Sequence, residues 1–372
     1  MSTPDIRIPT DLLPVDGRFG CGPSKVRPEA VAALAATGSA FLGTSHRQDT
    51  VKNVVGNLRA GLAELFGLPD GYEIILGNGG STAFWDVATF GLVDARAKHY
   101  VFGEFSSKFA EATAAAPHLG DPVVVESAAG TRPNLAATAD VDTYCLTHNE
   151  TSTGVMMPVA QPHTDTQLVL VDATSAAGGL PIDLTSADCY YFAPQKCFAS
   201  DGGLWVAICS PAAIERIEKI ASSGRWIPAS LDLVTALDNS RKNQTYNTPS
   251  LATIFLFAQQ LDWMNTNGGL EFTTRRCSES SDVLYSWAEQ REFATPFVAE
   301  PSHRSRVVVT IDFDGVDAPT IASILRANGI VDTDSYRKLG RNQLRIATFP
   351  AIDPDDVRQL TRCIDHVVAS LA

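Results

Sequence analysis

The chain has 372 residues, of which 45% are hydrophobic, so it carries enough apolar material for one large domain with a smaller one beside it. Its net charge of −13 disfavours binding to nucleic acid and to anionic membranes, and no segment reaches the roughly 18 apolar residues of a membrane span. The seven cysteines are scattered without a CxxC pair, which argues against a zinc site and against a disulfide framework.

The first residues, MSTPDIRIPTDLLP, are polar and proline-rich and lack the apolar core of a secretion signal. Together with the odd number of cysteines, they predict a cytoplasmic protein with reduced thiols.

Helical and strand-like patterns alternate through the first 270 residues. Helices are predicted for residues 28–37, for 50–67 with a stop at Gly67, and for 81–93 opened by Ser81. Seven strands are predicted, at residues 72–80 with a glycine turn, 99–105, 121–127, 143–150, 167–175, 189–196 and 202–210. Because these strands are almost unbroken apolar runs, they predict a mostly parallel α/β sheet covered on both faces.

The pattern changes after about residue 270. Helices are predicted for residues 281–290, 318–330 and 353–372, and strands for 306–313 and 342–349. This mixture predicts a smaller α+β domain over 271–372, after a large α/β domain over 26–270. Residues 1–25 are expected to pack with the small domain.

Polar residues collect where several predicted strands end. They are Gly79–Ser81, His148–Thr151, Asp172 and Lys196. In open α/β sheets the ligand crevice lies beyond the carboxyl ends of the strands, so these distant positions are expected to converge there.

Lys196 and Asp172 each follow a short apolar strand, and a buried charge needs a partner or a chemical role. One interpretation is a simple salt bridge between them. The other is a pyridoxal phosphate site, where a lysine forms a Schiff base with the cofactor aldehyde and a carboxylate keeps the pyridine nitrogen protonated. The freed lysine amine can then act as the base at the substrate α-carbon.

The segment GNGGSTAF, residues 77–84, can supply an anion site. Glycines let the backbone approach a phosphate, and the following helix offers unpaired N–H groups, with Ser81 able to cap the helix and to donate to phosphate. The alternative is an ordinary turn. The segment lacks a Walker lysine and does not fit the dinucleotide motif, which argues against a dehydrogenase.

Five motifs occur in the order GGSTAFW, GEFSSKF, HNETSTG, VDATSAAGGLPID and APQKCF. In this order they resemble the class V aminotransferases of fold type I. The earlier motifs FGCGPSKV and GTSHRQ resemble the phosphoserine aminotransferase branch of that family, in its actinobacterial form. The resemblance covers nearly the whole chain. It implies a large pyridoxal-phosphate-dependent transferase domain with a mostly parallel seven-stranded sheet, plus a smaller α+β C-terminal domain.

The resemblance also implies roles for the matching positions around the cofactor. Lys196 would bind its aldehyde and Asp172 its ring nitrogen, and Thr151 would contact it near the ring hydroxyl. The phosphate would be held by Gly80, Ser81 and Gln195. Phe105 would stack on the ring, where many relatives have tryptophan; a plain core aromatic is the alternative.

The segment TYNTPSL contains Asn247 and Thr248, a pair that members of the family extend into the neighbouring subunit's phosphate site. The match implies a homodimer with shared active sites. Local chemistry alone equally permits a proline-terminated turn.

Basic residues suited to acidic substrates lie in two segments. The resemblance implies that His46 and Arg47 bind the substrate phosphate and that Arg345 binds the α-carboxylate; arginine suits both groups because of its planar fork. Many members carry a second His-Arg pair before that last arginine. This chain departs from the pattern with Tyr336 and Arg337, so Arg337 and Arg341 both stay candidates, and Lys338 and Arg341 can equally be solvated loop residues.

The implied reaction is reversible amino transfer between L-glutamate and 3-phosphohydroxypyruvate, giving O-phospho-L-serine and 2-oxoglutarate by a ping-pong route through pyridoxamine phosphate. The four-carbon phospho-hydroxythreonine analogue of vitamin B6 synthesis is a further expected substrate. The alternatives are an alanine– or serine–glyoxylate aminotransferase, a desulfurase using Cys197, and a non-catalytic α/β dimer.

Overall fold

The computed structural model describes residues 5–162 and 167–371. The helices are α1 (Pro28–Ala36), α2 (Asp49–Phe66), α3 (Gly80–Gly91), α4 (Glu104–Ala115), α5 (Pro211–Ser222), α6 (Leu233–Ser240), α7 (Leu251–Thr266), α8 (Gly269–Glu289), α9 (Ala318–Ala327) and α10 (Pro354–Leu371). The strands are β1 (Glu73–Asn78), β2 (Ala97–Val101), β3 (Val123–Glu126), β4 (Thr143–Thr147), β5 (Asn149–Glu150), β6 (Val155–Met156), β7 (Leu168–Asp172), β8 (Cys189–Phe192), β9 (Leu204–Cys209), β10 (Ala294–Pro296), β11 (Val308–Phe313) and β12 (Gln343–Ala347). Short 3₁₀ turns occupy Leu184–Ser186, Pro301–His303 and Arg337–Leu339.

The main sheet has seven strands in the order β1-β9-β8-β7-β4-β2-β3. Strands β8, β7, β4, β2 and β3 run parallel, while β9 is antiparallel to both of its neighbours. Four central strands, β4 and β7–β9, are buried along their whole length, which is why they appear in the sequence as continuous apolar runs. The mostly parallel seven-stranded sheet predicted from the sequence is confirmed.

Two apolar layers cover this sheet. Helices α3–α6 form one core with it, and α2 and α7 form the other core together with the C-terminal elements. The parallel strands β4, β7 and β8 therefore bring their carboxyl ends to one edge, where the chain leaves the sheet at Thr147, Asp172 and Phe192.

The C-terminal third is built on the antiparallel sheet β10-β11-β12, against which α8, α9 and α10 pack. The N-terminal segment lies on this part of the chain. The Phe19 N–H donates to the Val331 carbonyl (3.3 Å), and the Phe19 carbonyl accepts from the Ala347 N–H (3.0 Å). These contacts agree with the expected packing of residues 1–25, of which 1–4 lie outside the described residues; the division at 25 and 270 stays a prediction.

Two sequence predictions around the site are wrong in detail. The strand expected at 99–105 ends at Val101, and Phe105 lies in α4. The buried Glu150 carboxylate accepts from the backbone N–H groups of Phe105 (3.1 Å) and Ser106 (2.9 Å), so it caps a helix there from far along the chain. Helix α3 starts at Gly80 after Gly79 and has no side-chain cap, so Ser81 does not open it.

In the described part of the chain, no helix is both long and apolar enough to cross a bilayer, and no group of three or more His, Cys, Asp or Glu side chains is arranged for a metal ion. All seven cysteines are buried free thiols.

Candidate active site

Lys196 follows β8 and is buried under the N-terminal segment. Its Nζ donates to the Cys21 carbonyl (2.5 Å), and the Ser24 hydroxyl donates to the Lys196 carbonyl (2.6 Å). Gly22 lies between these contacts with φ of +133°, and a Cβ there would be only 2.2 Å from Nζ. Glycine is therefore required at position 22 both by the backbone angle and by the closeness of the amine.

The amine of Lys196 is easier to deprotonate than an ordinary lysine. Burial lowers its pKa to about 8; the Arg345 guanidinium acts in the same direction, against Cys21, Cys197 and Asp172. A neutral amine is the nucleophilic form, so about a tenth of this lysine can react with a carbonyl at pH 7, far more than of an ordinary lysine.

Asp172 ends β7 and is also buried, with hydrogen-bond donors on both oxygens. The Trp85 indole Nε1–H donates to Oδ2 (3.0 Å), and Oδ1 accepts from the Thr174 N–H (2.9 Å) and the Thr174 hydroxyl. Burial raises the pKa of Asp172, and these donors lower it. No ion pair joins Asp172 to Lys196 within the described residues, so the simple salt bridge is not what holds them.

The start of α3 forms an anion-binding corner. Gly80 has φ of +78°, and the first turn after it has no side-chain cap, so its N–H groups are free for a ligand. The Ser81 hydroxyl lies 2.6 Å from the Thr174 hydroxyl. Gln195 lies beside Gly202, and the neighbouring Gly203 carbonyl accepts from the Gly79 N–H. The buried Oε1 of Gln195 makes no hydrogen bond to any described residue.

Phe105 lies in the first turn of α4, with its ring centroid 6.0 Å from the Lys196 Nζ. The centroid of the Tyr336 ring lies 5.9 Å from that of Phe105. Phe105 therefore lies beside the lysine while also packing against the core under α3 and α4, and its stacking role stays a prediction.

Thr151 and Arg345 meet next to these groups. The Arg345 Nη1 donates to the Thr151 carbonyl (3.2 Å), while the Thr151 hydroxyl donates to Ser175 (2.9 Å). The Arg345 guanidinium also lies over the Tyr336 ring at 5.3 Å, and its buried Nε has no hydrogen-bond partner among the described residues. It therefore keeps donors available for a ligand.

A second group contains the residues that the sequence analysis assigned to phosphate groups. We call it the His46 cluster, and its members are His46, Arg47, Asn247 and Thr248. The His46 Nδ1 lies 3.3 Å from the Thr248 hydroxyl, and the Asn247 Oδ1 accepts from Asn78 (2.8 Å). Burial, and then Arg47, lower the pKa of His46. Asn78 directly precedes the α3 corner, but no described hydrogen bond joins the cluster to Lys196 or Asp172.

The loop before β12 contains the basic residues Arg337, Lys338 and Arg341, and two of them form ion pairs. Lys338 pairs with Glu104, and Arg341 makes a forked ion pair with Asp312 while lying 4.6 Å over the Phe297 ring. Arg337 is exposed and makes no ion pair with any residue the structure describes.

Sequence reasoning missed Trp85, Thr174 and the Cys21–Ser24 loop as parts of the site. Signals for the first two existed. Trp85 is four residues after Ser81 on one helix, so both lie on one face, and Thr174 two residues after Asp172 fits a turn stabilised by the aspartate. The loop contact depends on tertiary packing and has no local signal.

Three features together fit pyridoxal phosphate: the buried lysine, the carboxylate held by donors, and the N-terminus of α3. Each supplies what one part of that molecule requires: an amine for its aldehyde, an anion for its ring nitrogen, and N–H groups for its phosphate.

Comparison with known proteins agrees with this geometry. A family model described as aminotransferase class V matches residues 21–333. The chain is 62% identical to a phosphoserine aminotransferase of Nocardioides sp., covering 99% of this chain and 100% of the relative, and 59% identical to one of Rhodococcus jostii, covering 98% of each. Its fold matches a crystal structure of a phosphoserine aminotransferase from Cytophaga hutchinsonii with a TM-score of 0.87 at 25% identity, covering 94% and 99% of the two chains.

Proposed function

The chain belongs to the class V aminotransferase family, and we propose that it transfers the amino group of L-glutamate to 3-phosphohydroxypyruvate, giving O-phospho-L-serine and 2-oxoglutarate. The observation that carries the proposal is the buried Lys196, whose amine has a pKa of about 8 and lies close enough to the Asp172 carboxylate to be affected by its charge. Amino transfer needs this combination of a neutral amine and an anion at opposite ends of an electron-accepting ring.

Pyridoxal 5′-phosphate is the cofactor of this reaction; when bound, it supplies an aldehyde that carries the amino group and a pyridine ring that accepts electrons from the substrate α-carbon. We assign Lys196 to the aldehyde, Asp172 to the ring nitrogen and Phe105 to the ring face. Gly80, Ser81 and Gln195 serve its phosphate, and Thr151 its ring hydroxyl.

Lys196 moves the proton. With the cofactor bound and the lysine amine free, that amine would take the proton from the substrate α-carbon and deliver it to the cofactor's aldehyde carbon, on the other side of the transferred nitrogen. A pKa of about 8 suits this exchange, because the amine accepts and releases a proton with little cost near neutral pH.

Two arginines are proposed to fix the substrate. Arg345 binds the α-carboxylate through donors that the Thr151 carbonyl does not occupy. Arg337 binds substrate phosphate in preference to Arg341, because Asp312 and Phe297 already engage Arg341.

We further propose a cytoplasmic homodimer with two shared sites, working in serine biosynthesis and, through the four-carbon analogue, in pyridoxine biosynthesis. The His46 cluster supports the shared sites: Arg47, Asn247 and Thr248 are exposed, and the large exposed side chains Leu42 and Tyr246 lie in the same two segments. Because His46 contacts Thr248, the pair His46–Arg47 and the pair Asn247–Thr248 are expected to act on the same site, in either subunit.

Glyoxylate aminotransferases and desulfurases are disfavoured by specific observations. A glyoxylate enzyme would not need the cationic His46 cluster, since its substrates carry no phosphate. A desulfurase needs a reactive thiolate, whereas burial raises the pKa of Cys197 well above its ordinary value and its Sγ donates to the Ser175 carbonyl (3.4 Å).

A substrate panel on the cofactor-loaded protein tests the proposal. Phosphoserine should be a far better amino donor than serine or alanine, and Lys196→Ala should lose the visible absorption of the bound cofactor together with turnover. Equal rates with serine and phosphoserine would overturn the phosphate assignment.

Two arginine variants test which loop residue binds phosphate. Arg337→Ala should raise the KM for phosphoserine about tenfold or more without changing that for glutamate, because a charge-assisted contact to phosphate is lost. Arg341→Ala, from the same loop, is the matched control and should leave both values unchanged. The reverse result would move the role to Arg341.

A further inference from the structure

We propose that Trp85 is a positioning residue: its indole N–H fixes the Asp172 carboxylate in the orientation that meets the cofactor's ring nitrogen. This inference deepens the proposed function and rests on it.

The geometry behind this proposal is a single buried hydrogen bond from α3 to the end of β7. The Trp85 Nε1 lies 3.0 Å from the Asp172 Oδ2, and both side chains are buried. The indole cannot easily rotate away, because its ring lies nearly parallel to Phe109, at 17° and 6.4 Å between centroids. An indole offers one donor and no acceptor, so it can only favour the ionised carboxylate.

The carboxylate needs such a donor. Asp172 has no cation bonded to it among the described residues, so its charge depends on neutral donors: Thr174, Trp85 and the nearby Tyr191 hydroxyl all lower its pKa against the effect of burial. Both hydrogen bonds from Thr174 go to Oδ1, and the hydrogen bond that the described residues make to Oδ2 comes from Trp85. Without the indole, this oxygen would lose its fixed direction and the acid would more readily take up a proton.

Helix α3 therefore serves both ends of the cofactor. Ser81 and Trp85 are one turn apart, so the phosphate corner and the donor to Asp172 share one rigid element. The Thr174 hydroxyl touches both Ser81 and Asp172 and closes the link between the two ends.

Trp85→Phe removes the N–H and tests the proposal. Apo protein should bind pyridoxal phosphate at least about tenfold more weakly, with an altered visible spectrum and a lower kcat at nearly unchanged KM, because a donor to a buried anion is lost. Trp287→Phe is the matched control: it removes the same 3.0 Å bond from an indole to a carboxylate, at Asp365, in the C-terminal part of the chain. It should leave cofactor affinity and spectrum unchanged.

A cofactor analogue with C–H in place of the ring nitrogen separates positioning from packing. If Trp85 acts through Asp172, Trp85→Phe should weaken binding of pyridoxal phosphate but not of the analogue. Equal weakening of both would overturn the proposal, because the indole would then only fill space.

If Trp85→Phe does not fold, a tryptophan isostere with sulfur in place of the indole N–H keeps the ring volume and gives the same comparison. Unchanged affinity in that variant would also overturn the proposal. Absence of phosphoserine turnover in the unmodified enzyme would instead contradict the proposed function, so the two failures are distinguishable.

Discussion

At the scale of single residues, the burial of one lysine decides when the site can react. The groups that face the Lys196 amine are Cys21, Cys197, Asp172 and Arg345. Burial is the largest influence and, together with Arg345, lowers the pKa of the amine against the other three groups. The amine is charged below that pKa and neutral above it, and only the neutral form attacks an aldehyde.

We therefore expect the rate at which apo protein captures pyridoxal phosphate to rise about tenfold per pH unit up to pH of about 8 and then to level off. Stopped-flow measurement of the visible absorption change gives this profile. A simple alkylamine reacting with the same cofactor is the control for the cofactor's own titration, and its rate should keep rising above pH 8. A protein profile parallel to the control would show that Lys196 titrates as an ordinary lysine.

Residue identity at the site was largely predictable. Lys196, Asp172, Thr151 and Arg345 carry motifs that the family resemblance matches, and the structure brings them together. What could not be predicted is the environment of each group. The Cys21 carbonyl on the lysine and the Trp85 indole on the aspartate join residues far apart in sequence. The spacing from Ser81 indicates the helix face on which Trp85 lies, but not its bond to Asp172, and nothing local marks the Cys21 contact.

At the scale of elements, α4 depends on a carboxylate from another part of the chain. The Glu150 carboxylate accepts from the backbone N–H groups of Phe105, Ser106 and Ser152, and from the hydroxyls of Ser106 and Ser152. The sequence pattern predicted that the preceding strand continues to residue 105, because the local sequence does not show that Glu150 caps a helix there. Central strands such as β7 were predicted well because burial on both faces leaves an unmistakable apolar run.

Replacing Glu150 with glutamine should lower the free energy of unfolding by about 2 kcal/mol, because an amide group would face N–H donors that now meet an anion. It should also weaken cofactor binding, because Phe105, which we assign to the cofactor ring face, lies in the helix turn that Glu150 caps. Chemical denaturation and cofactor titration measure the two effects.

Glu300 provides a matched control, because it accepts from the Ser302 N–H (3.2 Å) and hydroxyl (2.8 Å) much as Glu150 does from Ser152, but at the surface. Glu300→Gln should change neither stability nor cofactor binding. A stable Glu150→Gln with normal affinity would show that α4 does not need the charge.

At the scale of the whole molecule, the proposed homodimer raises the question of whether the His46 cluster acts on the site of its own subunit or on that of the partner. Its exposed members lie beside Asn78 at the edge strand β1, a surface that a second subunit could cover. In a two-fold dimer each subunit would then lend its cluster to the other.

Mixed dimers decide it. Lys196→Ala and Thr248→Ala should each be inactive or nearly so alone. If Thr248 serves the partner's site, refolding the two together in equal amounts should restore about a quarter of the wild-type activity, since half of the dimers are mixed and each has one intact site. No restoration would mean that Thr248 serves its own subunit's lysine. Wild-type protein refolded in the same way controls for recovery.

The N-terminal loop has a practical consequence for anyone shortening this protein. Phe19 is anchored to the C-terminal sheet, while Cys21 and Ser24, a few residues on, hold Lys196. Trimming the front of the chain past Phe19 would remove this anchor and leave the reactive amine open to water.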